Sequence, residues 1–372
     1  MSAKRPGWGL LGRLLVCALL MAWIFHAIFQ NEGKLAAKES GLEWSQLSRM
    51  DQWHWSWTHG PGELWKTVRL IKPLAFVESL GWMGLTLVLG VARWRMVMAV
   101  QGLRLTFRRA AGITLVAHFF NSFLLGSTGG DLIKALYAAR ETRHKKTEAV
   151  VTVFVDRIVG LWAMLLFAGI MMIPNLALIR QHETMEAVCG VILFMLAGAS
   201  VVLGVGFWSG LSRKFPSARP LLRRLPKGEA LEKSLDACRG FGKSRGFLLK
   251  TLGVSMALNA VCVFQFMAVA KGLGLEIPPA ALFAMVPMVI CISALPITPS
   301  GLGVRENLFV MLLTVPEIGA PATLALAMSL LAFAGSLIWS LAGGVVYLFL
   351  KQREHLDEVT KAPLAEEPGE AA

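Results

Sequence analysis

Long apolar stretches separated by short polar segments run along most of the chain. A helix needs about 20 residues to cross a hydrocarbon core about 30 Å thick, and six stretches reach or approach that length. They cover about residues 14–29, 74–100, 149–173, 187–208, 247–270 and 321–350. This pattern predicts an all-α integral membrane protein with about six transmembrane helices, because a helix satisfies its own backbone hydrogen bonds within lipid.

The first stretch follows Lys4, Arg5 and Arg13, as the apolar core of a secretory signal peptide would. No small-residue cleavage site follows it closely. We therefore expect this stretch to be an uncleaved first span.

Two shorter apolar stretches are interrupted before they could complete a crossing. The first covers about residues 110–125, breaks at 126–131 and continues as a helical piece that ends in the basic run 140–146. Because basic residues flank both ends, both ends should face the cytoplasm. The pattern predicts a re-entrant helical hairpin, whose irregular turn must be buried in protein or line a wet cavity.

The second interrupted unit covers about residues 280–295, breaks at 296–306 and continues over about 307–315. It should enter from the outer side and return there, so the two re-entrant hairpins are opposed, as in the inverted repeats of transporters. The alternative is a chain with eight simple crossings. That topology would put the basic run 140–146 outside, which the distribution of positive charge disfavours.

The charge of the chain follows its predicted topology. The net charge is +13, and 55% of the residues are hydrophobic. The basic residues lie mainly between apolar stretches, above all in the segment 209–246, which favours membrane topology and lipid contact over nucleic-acid binding. We expect one polytopic domain over residues 1–350 of the inner cell membrane, with both termini in the cytoplasm and a disordered cytoplasmic tail at 351–372.

Residues 30–72 form a polar segment that contains five tryptophans. Tryptophan prefers the interface between membrane and water, so we expect an outer loop that lies on the membrane surface, with a platform for carbohydrate or headgroups as the alternative. His54 and His59 lie near two acids but match no zinc-binding spacing, so no metal site is expected.

Motifs for soluble chemistry do not occur in the sequence. The five cysteines form no CxxC pair, so neither a disulfide framework nor a zinc site is expected. The chain has no P-loop, nucleophile elbow or dinucleotide fingerprint. We therefore expect no cofactor, no ATP-driven pump and no catalytic residue within this chain.

The break in the first hairpin is one candidate binding site. Its residues are Asn121, Gly129, Gly130, Asp131 and Lys134. The glycines permit a tight turn, and the returning helix would point its free N–H groups toward an anion such as a lipid phosphate. A capped turn without a ligand is the alternative.

Asp156 and Arg157 lie within the third full span, where charged residues are costly and need a partner or a cavity. Adjacent helical residues point about 100° apart, so we expect the two to pair with different residues, for which Lys134 and Asp131 are the candidates. A structural ion pair that holds the hairpin is the alternative to a substrate site.

Glu78, another isolated acid in an apolar stretch, is expected to be buried and hydrogen-bonded, with a proton relay as its alternative.

The break in the second hairpin is the other candidate site, and it contains Pro299, Gly301, Gly303, Arg305 and Glu306. Proline and glycine stop the helix, so that Arg305 and Glu306 open the next one inside the protein. Arginine presents a planar fork of donors that matches phosphate. Glu306 can cap the helix N-terminus.

Three segments carry a resemblance to a known family. They are Asn121 with Gly129-Gly130-Asp131, then Val155-Asp156-Arg157, and finally LPITPSGLGVRE at 295–306. With these motifs the chain resembles the lysylphosphatidylglycerol synthase transmembrane, or flippase-like, family over about residues 10–350. The resemblance implies movement of membrane lipids between leaflets, or handling of a lipid-linked substrate. About 22 residues follow the last stretch, so we expect no aminoacyl-transferase domain.

The leading hypothesis is therefore a lipid translocase that uses no ATP and takes an anionic phospholipid or a polyprenyl phosphate. Arg305, Lys134 and Arg157 would receive the phosphate, while three acids set their geometry. One alternative is a membrane scaffold for a separate lipid-modifying enzyme or glycosyltransferase, docked on the loop 209–246. A transferase that uses Asp131 or Glu306 as a base is a third hypothesis.

Overall fold

The computed structural model describes most of the chain between residues 26 and 361. The described residues are 26, 29–30, 33–34, 36–38, 40–123, 129–142, 145–207, 241, 245–295, 301 and 303–361. Several predictions therefore concern residues outside this set. They are most of the first span, the turn 124–128, nearly all of the loop 209–246, Pro299 and the tail from residue 362.

Every regular element in the described residues is helical. The α-helices are α1 (Arg49–Leu70), α2 (Pro73–Val100), α3 (Phe107–Phe123), α4 (Gly129–Glu141), α5 (Lys146–Met172), α6 (Leu176–Gln181), α7 (Glu183–Phe207), α8 (Arg245–Gly272), α9 (Pro279–Ser293), α10 (Val304–Leu313) and α11 (Ala322–Lys361). Short 3-10 turns at Trp44–Gln46 and Ile173–Asn175 complete the set.

Five helical segments of the described chain have the length and composition of membrane spans. They are Pro73–Val100, Lys146–Gln181, Glu183–Gly204, Gly246–Gly272 and Leu324–Phe349. These segments coincide with five of the six predicted spans, and the sixth lies outside the described residues. The predicted all-α integral membrane class is confirmed.

Two predictions of irregular structure were wrong. The segment 30–72, expected as a loop, contains the 22-residue helix α1, which begins after Ser48, whose side chain accepts a hydrogen bond from the Asp51 N–H. Because most of this helix is exposed and polar, it lacks the buried apolar stripe by which a helix is recognised in sequence. The expected tail also begins too early, since α11 continues without a break to Lys361.

The helices α3 and α4 form the first hairpin, whose two ends lie together. Arg109, near the start of α3, donates from Nε to Glu141 at the end of α4 over 2.6 Å. Lys145, just before α5, donates to the Gln101 carbonyl at 3.2 Å. The first hairpin therefore opens at the end of the molecule where α5 begins.

The helices α9 and α10 form the second hairpin, which opens at the opposite end of α5. Asn175, in the turn that follows α5, donates to the Ala280 carbonyl at the start of α9 over 3.1 Å. Beyond α10, Glu317 lies 2.8 Å from His182. The two hairpins thus enter from opposite ends, as the sequence predicted, and α5 runs between their openings.

The remaining spans enclose the hairpins. Helix α2 packs along α8, and α11 packs along both α3 and α10. At Gly343 of α11 the backbone approaches α3 so closely that an added Cβ would collide with the Leu115 carbonyl. One helix of each hairpin, α3 and α10, is therefore held against α11.

Candidate functional site

Asp156 is the centre of a buried charge network. It lies ten residues into α5, about 15 Å along the helix at 1.5 Å per residue, and is 5% exposed. Arg93 of α2 donates from Nε to one carboxylate oxygen at 2.8 Å, and Lys134 of α4 donates from Nζ to the other at 3.2 Å. Arg93 also donates to the Ser255 hydroxyl at 3.2 Å. One carboxylate thus joins α2, α4 and α5.

Arg157, the next residue, turns to a different partner. Its Nε lies 3.6 Å from the Asp131 carboxylate at the start of α4. Both partners predicted for the Asp156-Arg157 pair, Lys134 and Asp131, are therefore confirmed. The first half of α4 is tied to α5 by two ion pairs.

Arg93 is the site residue that sequence reasoning missed, because it was counted among the basic residues that end the second span. It lies seven residues, about 10 Å, before the end of α2. An arginine that deep in an apolar helix needs a partner, and this depth could have identified it. Gly160 makes room for its guanidinium, since an added Cβ would lie 2.7 Å from Arg93 Nη2.

The end of α3 and the start of α4 are held together by one hydrogen bond and one close approach. The Gly130 N–H donates to the Asn121 side-chain oxygen at 2.8 Å. An added Cβ on Gly130 would collide with the Ala117 carbonyl and lie 2.6 Å from Asn121 Cγ. Gly130 and Asn121 therefore fix the start of α4, where Gly129 is the first residue, and this places Asp131 and Lys134 beside α5.

The second hairpin places a buried acid and a buried arginine side by side. Gly301 and Gly303 have positive φ, and the Gly303 N–H donates to Glu306 Oε2 at 2.6 Å, which caps α10 as predicted. Arg305 donates from Nε and Nη2 to Glu306 Oε1. Unlike Asp156 and Arg157, these adjacent residues pair directly, because a first-turn carboxylate can fold back along the helix end.

Helix α11 supports this second pair. The Ser329 hydroxyl accepts from Arg305 Nε at 3.0 Å and donates to Glu306 Oε1 at 3.1 Å. The guanidinium carbon of Arg305 lies 4.8 Å from the centre of the Phe333 ring. Arg305 is thus held in one orientation by a carboxylate, a hydroxyl and an aromatic face.

A cavity of about 380 Å³ lies where α2, α5 and α8 meet the second hairpin, and we call it the central cavity. Arg93, Arg157 and Arg305 line it, together with the polar side chains Asn259 and Ser293. The rest of the lining is apolar. Three guanidinium groups from three separate elements therefore face one space that has the size of a ligand site.

The predicted site residues divide into two groups around this cavity. Arg157 and Arg305, two of the three residues for which a phosphate contact was predicted, line it. Lys134 does not line it but is buried between Asp156 and the Trp94 ring, 4.3 Å from its ring centre, and Arg93 takes the expected place. The acids lie behind the arginines and hold them.

Glu78 departs from its predicted burial. It is exposed near the start of α2, where it accepts a hydrogen bond from Trp82 Nε1 at 3.2 Å. The hydrogen bond is as predicted, whereas the burial is wrong. The apolar residues that flank Glu78 in sequence are also on the exposed face of a membrane helix, so they did not indicate that Glu78 is buried.

The family model described as "Lysylphosphatidylglycerol synthase TM region" matches residues 53–344. This range contains both hairpins and every residue of the central cavity. No curated protein matches the chain.

Proposed function

This chain belongs to the lysylphosphatidylglycerol synthase TM region family, and from that premise we propose that it moves an anionic lipid between the leaflets of a membrane without ATP. The lipid would be a phospholipid or a polyprenyl phosphate. The family is associated with membrane lipids and flippase-like roles, and the chain is a multi-pass membrane protein.

One observation carries the proposal: three arginines from α2, α5 and α10 face one cavity beside the second hairpin, and one of them, Arg157, is paired with Asp131 of the first. A phosphate is the group that best fits several guanidinium forks, because each fork can donate two parallel hydrogen bonds. In a site with little water these charges interact more strongly than they would at a surface.

The acids make such a cavity tolerable within a membrane. Four basic residues (Arg93, Lys134, Arg157, Arg305) and three acids (Asp131, Asp156, Glu306) leave an excess of one positive charge. The ion pairs offset most of the cost of burying the arginines and fix the direction of each guanidinium. The remaining charge attracts one monoanionic headgroup.

The opposed hairpins supply the geometry of passage. The first opens where α5 begins and the second opens where α5 ends. Asp131 of the first hairpin and Arg305 of the second both lie by Arg157, through an ion pair and a shared cavity lining respectively. A headgroup bound in the central cavity would be within reach of either side once one hairpin shifts against α5. This arrangement follows the alternating-access logic of inverted repeats around a midplane site.

The proposal also covers the location. Basic residues flank the opening of the first hairpin, so we place that opening and both termini in the cytoplasm of a cell whose inner membrane holds the protein. No step in this mechanism forms or breaks a covalent bond, so the protein would act as a transporter rather than an enzyme.

The test is exchange of fluorescent anionic and zwitterionic lipids between leaflets by purified protein in liposomes. Arg305→Ala should reduce anionic-lipid exchange by about tenfold or more, because a charge-assisted hydrogen bond is lost. Arg305→Lys keeps the charge but not the fork and should fall between wild type and Arg305→Ala. Arg104→Ala, which removes an exposed arginine before α3, is the matched control.

The outcomes separate the hypotheses. Exchange that falls with Arg305→Ala but not with Arg104→Ala supports the translocase. Normal exchange by stably inserted Arg305→Ala protein removes the phosphate site from the second hairpin. No exchange of any anionic lipid by wild-type protein would count against transport and favour a scaffold for a separate lipid-modifying enzyme.

A further inference from the structure

A second cavity, of about 290 Å³, lies near the start of α2 and the end of α8, and we call it the entrance cavity. Glu78 lies five residues into α2, so Arg93 is about 22 Å further along the same helix. The lining also includes Ile277 and Leu282, at the start of α9. The entrance cavity is therefore separate from the central cavity and lies at the opening of the second hairpin.

The charged groups of the entrance cavity have opposite signs, and within the described part of the chain neither belongs to an ion pair. Glu78 comes from α2 and Lys271 from the end of α8. Among the residues that the structure describes, neither has an oppositely charged side chain within 4 Å. Both side chains are exposed, so they are available to an external ligand that carries both signs.

An indole ring holds the carboxylate in place. Trp82 donates from Nε1 to Glu78 Oε1 at 3.2 Å, so the carboxylate lies at the N–H edge of that ring. The Phe264 ring, which also lines the cavity, lies 5.3 Å from the Trp82 ring, centre to centre. An alkylammonium group paired with the carboxylate would therefore lie next to two aromatic rings, whose faces attract cations.

We propose that the entrance cavity binds the headgroup of an amine-bearing phospholipid, with Glu78 and Trp82 on the ammonium group and Lys271 on the phosphate. The acyl chains would lie along the exposed apolar faces of α2 and α8, where Val77 and Phe264 reach the surface. The ligand is a lipid rather than a soluble amine because most other lining residues are apolar. The entrance cavity would recognise an ammonium group, whereas the central cavity, with its three arginines, would repel one.

The test is titration of the purified full chain with short-chain phosphatidylethanolamine and short-chain phosphatidylglycerol, followed by native mass spectrometry. Wild-type protein should retain the amine-bearing lipid more tightly. Glu78→Gln keeps an oxygen for Trp82 but removes the charge, so it should weaken phosphatidylethanolamine binding by about tenfold and leave phosphatidylglycerol binding unchanged. Lys271→Gln should weaken the binding of both lipids.

Glu276→Gln is the matched control, because Glu276 is an exposed acid in the same turn region but does not line the cavity. The proposal is overturned if Glu78→Gln changes both lipids alike or neither. It is also overturned if soluble phosphoethanolamine binds as tightly as the lipid. Binding is measured here and leaflet exchange in the Arg305 experiment, so the two proposals fail separately.

Discussion

Asp156 and Arg157 show how two adjacent residues can organise three helices. Asp156 draws Arg93 and Lys134 together, whereas Arg157 reaches Asp131. Removing one member of such a buried set leaves charges without partners, which typically costs about 3–5 kcal/mol. The acids therefore do not compete with a substrate but keep the arginines in place before a substrate arrives.

Gly160 gives a way to move Arg93 without removing it. In Gly160→Ala the new methyl group would lie 2.7 Å from Arg93 Nη2, so the guanidinium must shift although its charge stays in the site. We expect the variant to fold with a loss of about 1–3 kcal/mol in stability, the usual cost of overpacking. Lipid exchange should fall about tenfold, because the guanidinium loses its aligned hydrogen bonds.

Gly169→Ala on the same helix is the control for this experiment. Its added Cβ would lie an ordinary 3.6 Å from Leu196. Liposome exchange and thermal unfolding are measured for both variants. Equal exchange by the two variants would show that the position of Arg93 does not matter.

Among the site residues, the sequence identified charged residues that are isolated in an apolar span. It did not identify a charged residue that is followed closely by others of the same sign. Asp156 lies in an apolar span, so its need for partners was evident, and both candidates in the first hairpin were identified. Arg93 was missed because Arg95 and other basic residues follow it closely. Only the depth of Arg93 in its helix separates it from these neighbours.

Among the elements, the second hairpin has a polar contact at its opening that can be tested by pH. Beyond α10, the Glu317 carboxylate lies 2.8 Å from His182 Nε2. Hydrogen bonds from its own backbone N–H and from His182 lower the pKa of Glu317 below its ordinary value of 4.5. Because folding lowers this pKa, the group stabilises the folded protein above about pH 4.5 and loses that effect as the pH falls further.

Glu317→Gln should therefore lower the melting temperature in detergent at neutral pH, and the difference from wild type should shrink below about pH 4. The effect should be about 1 °C, because exposed pairs contribute little. Glu276→Gln, which removes an exposed acid with no ion pair in the described residues, should show no such pH dependence. A difference that grows as the pH falls would contradict this role for Glu317.

An element was predicted correctly where the length of an apolar stretch and the charges that flank it gave the same answer. The first hairpin followed from a short apolar stretch with basic residues at both ends, and α3 and α4 confirm it. Helix α1 was not predicted, because a polar helix on a surface has no apolar stripe, and Pro61 lies within it. Its tryptophans indicated an interface but not a conformation.

For the whole molecule, the opposed hairpins make a prediction about sidedness. Single cysteines in place of Arg104 and Lys145, at the two ends of the first hairpin, should react with a membrane-impermeant thiol reagent from one side. Cysteines in place of Glu276 and Glu317, which flank the second hairpin, should react only from the other side. Intact and inverted vesicles distinguish the two faces.

The same labelling tests the alternative topology. With eight simple crossings, position 104 and position 145 would lie on opposite faces. Reaction of these two cysteines from opposite sides would therefore exclude the hairpin architecture. The single cysteines are introduced into a protein whose five native cysteines are replaced by serine, so that only the introduced thiol reacts.

The excess of one positive charge around the central cavity has an electrical consequence. A bound monoanionic headgroup would bring the total to zero, so the occupied site would be electrically silent. Moving one unit charge across a membrane potential of 100 mV changes its energy by about 2.3 kcal/mol. In the proposed cycle only the empty site carries a net charge. Voltage would therefore change the rate at which the empty site returns, and not the rate at which the lipid-bound site crosses.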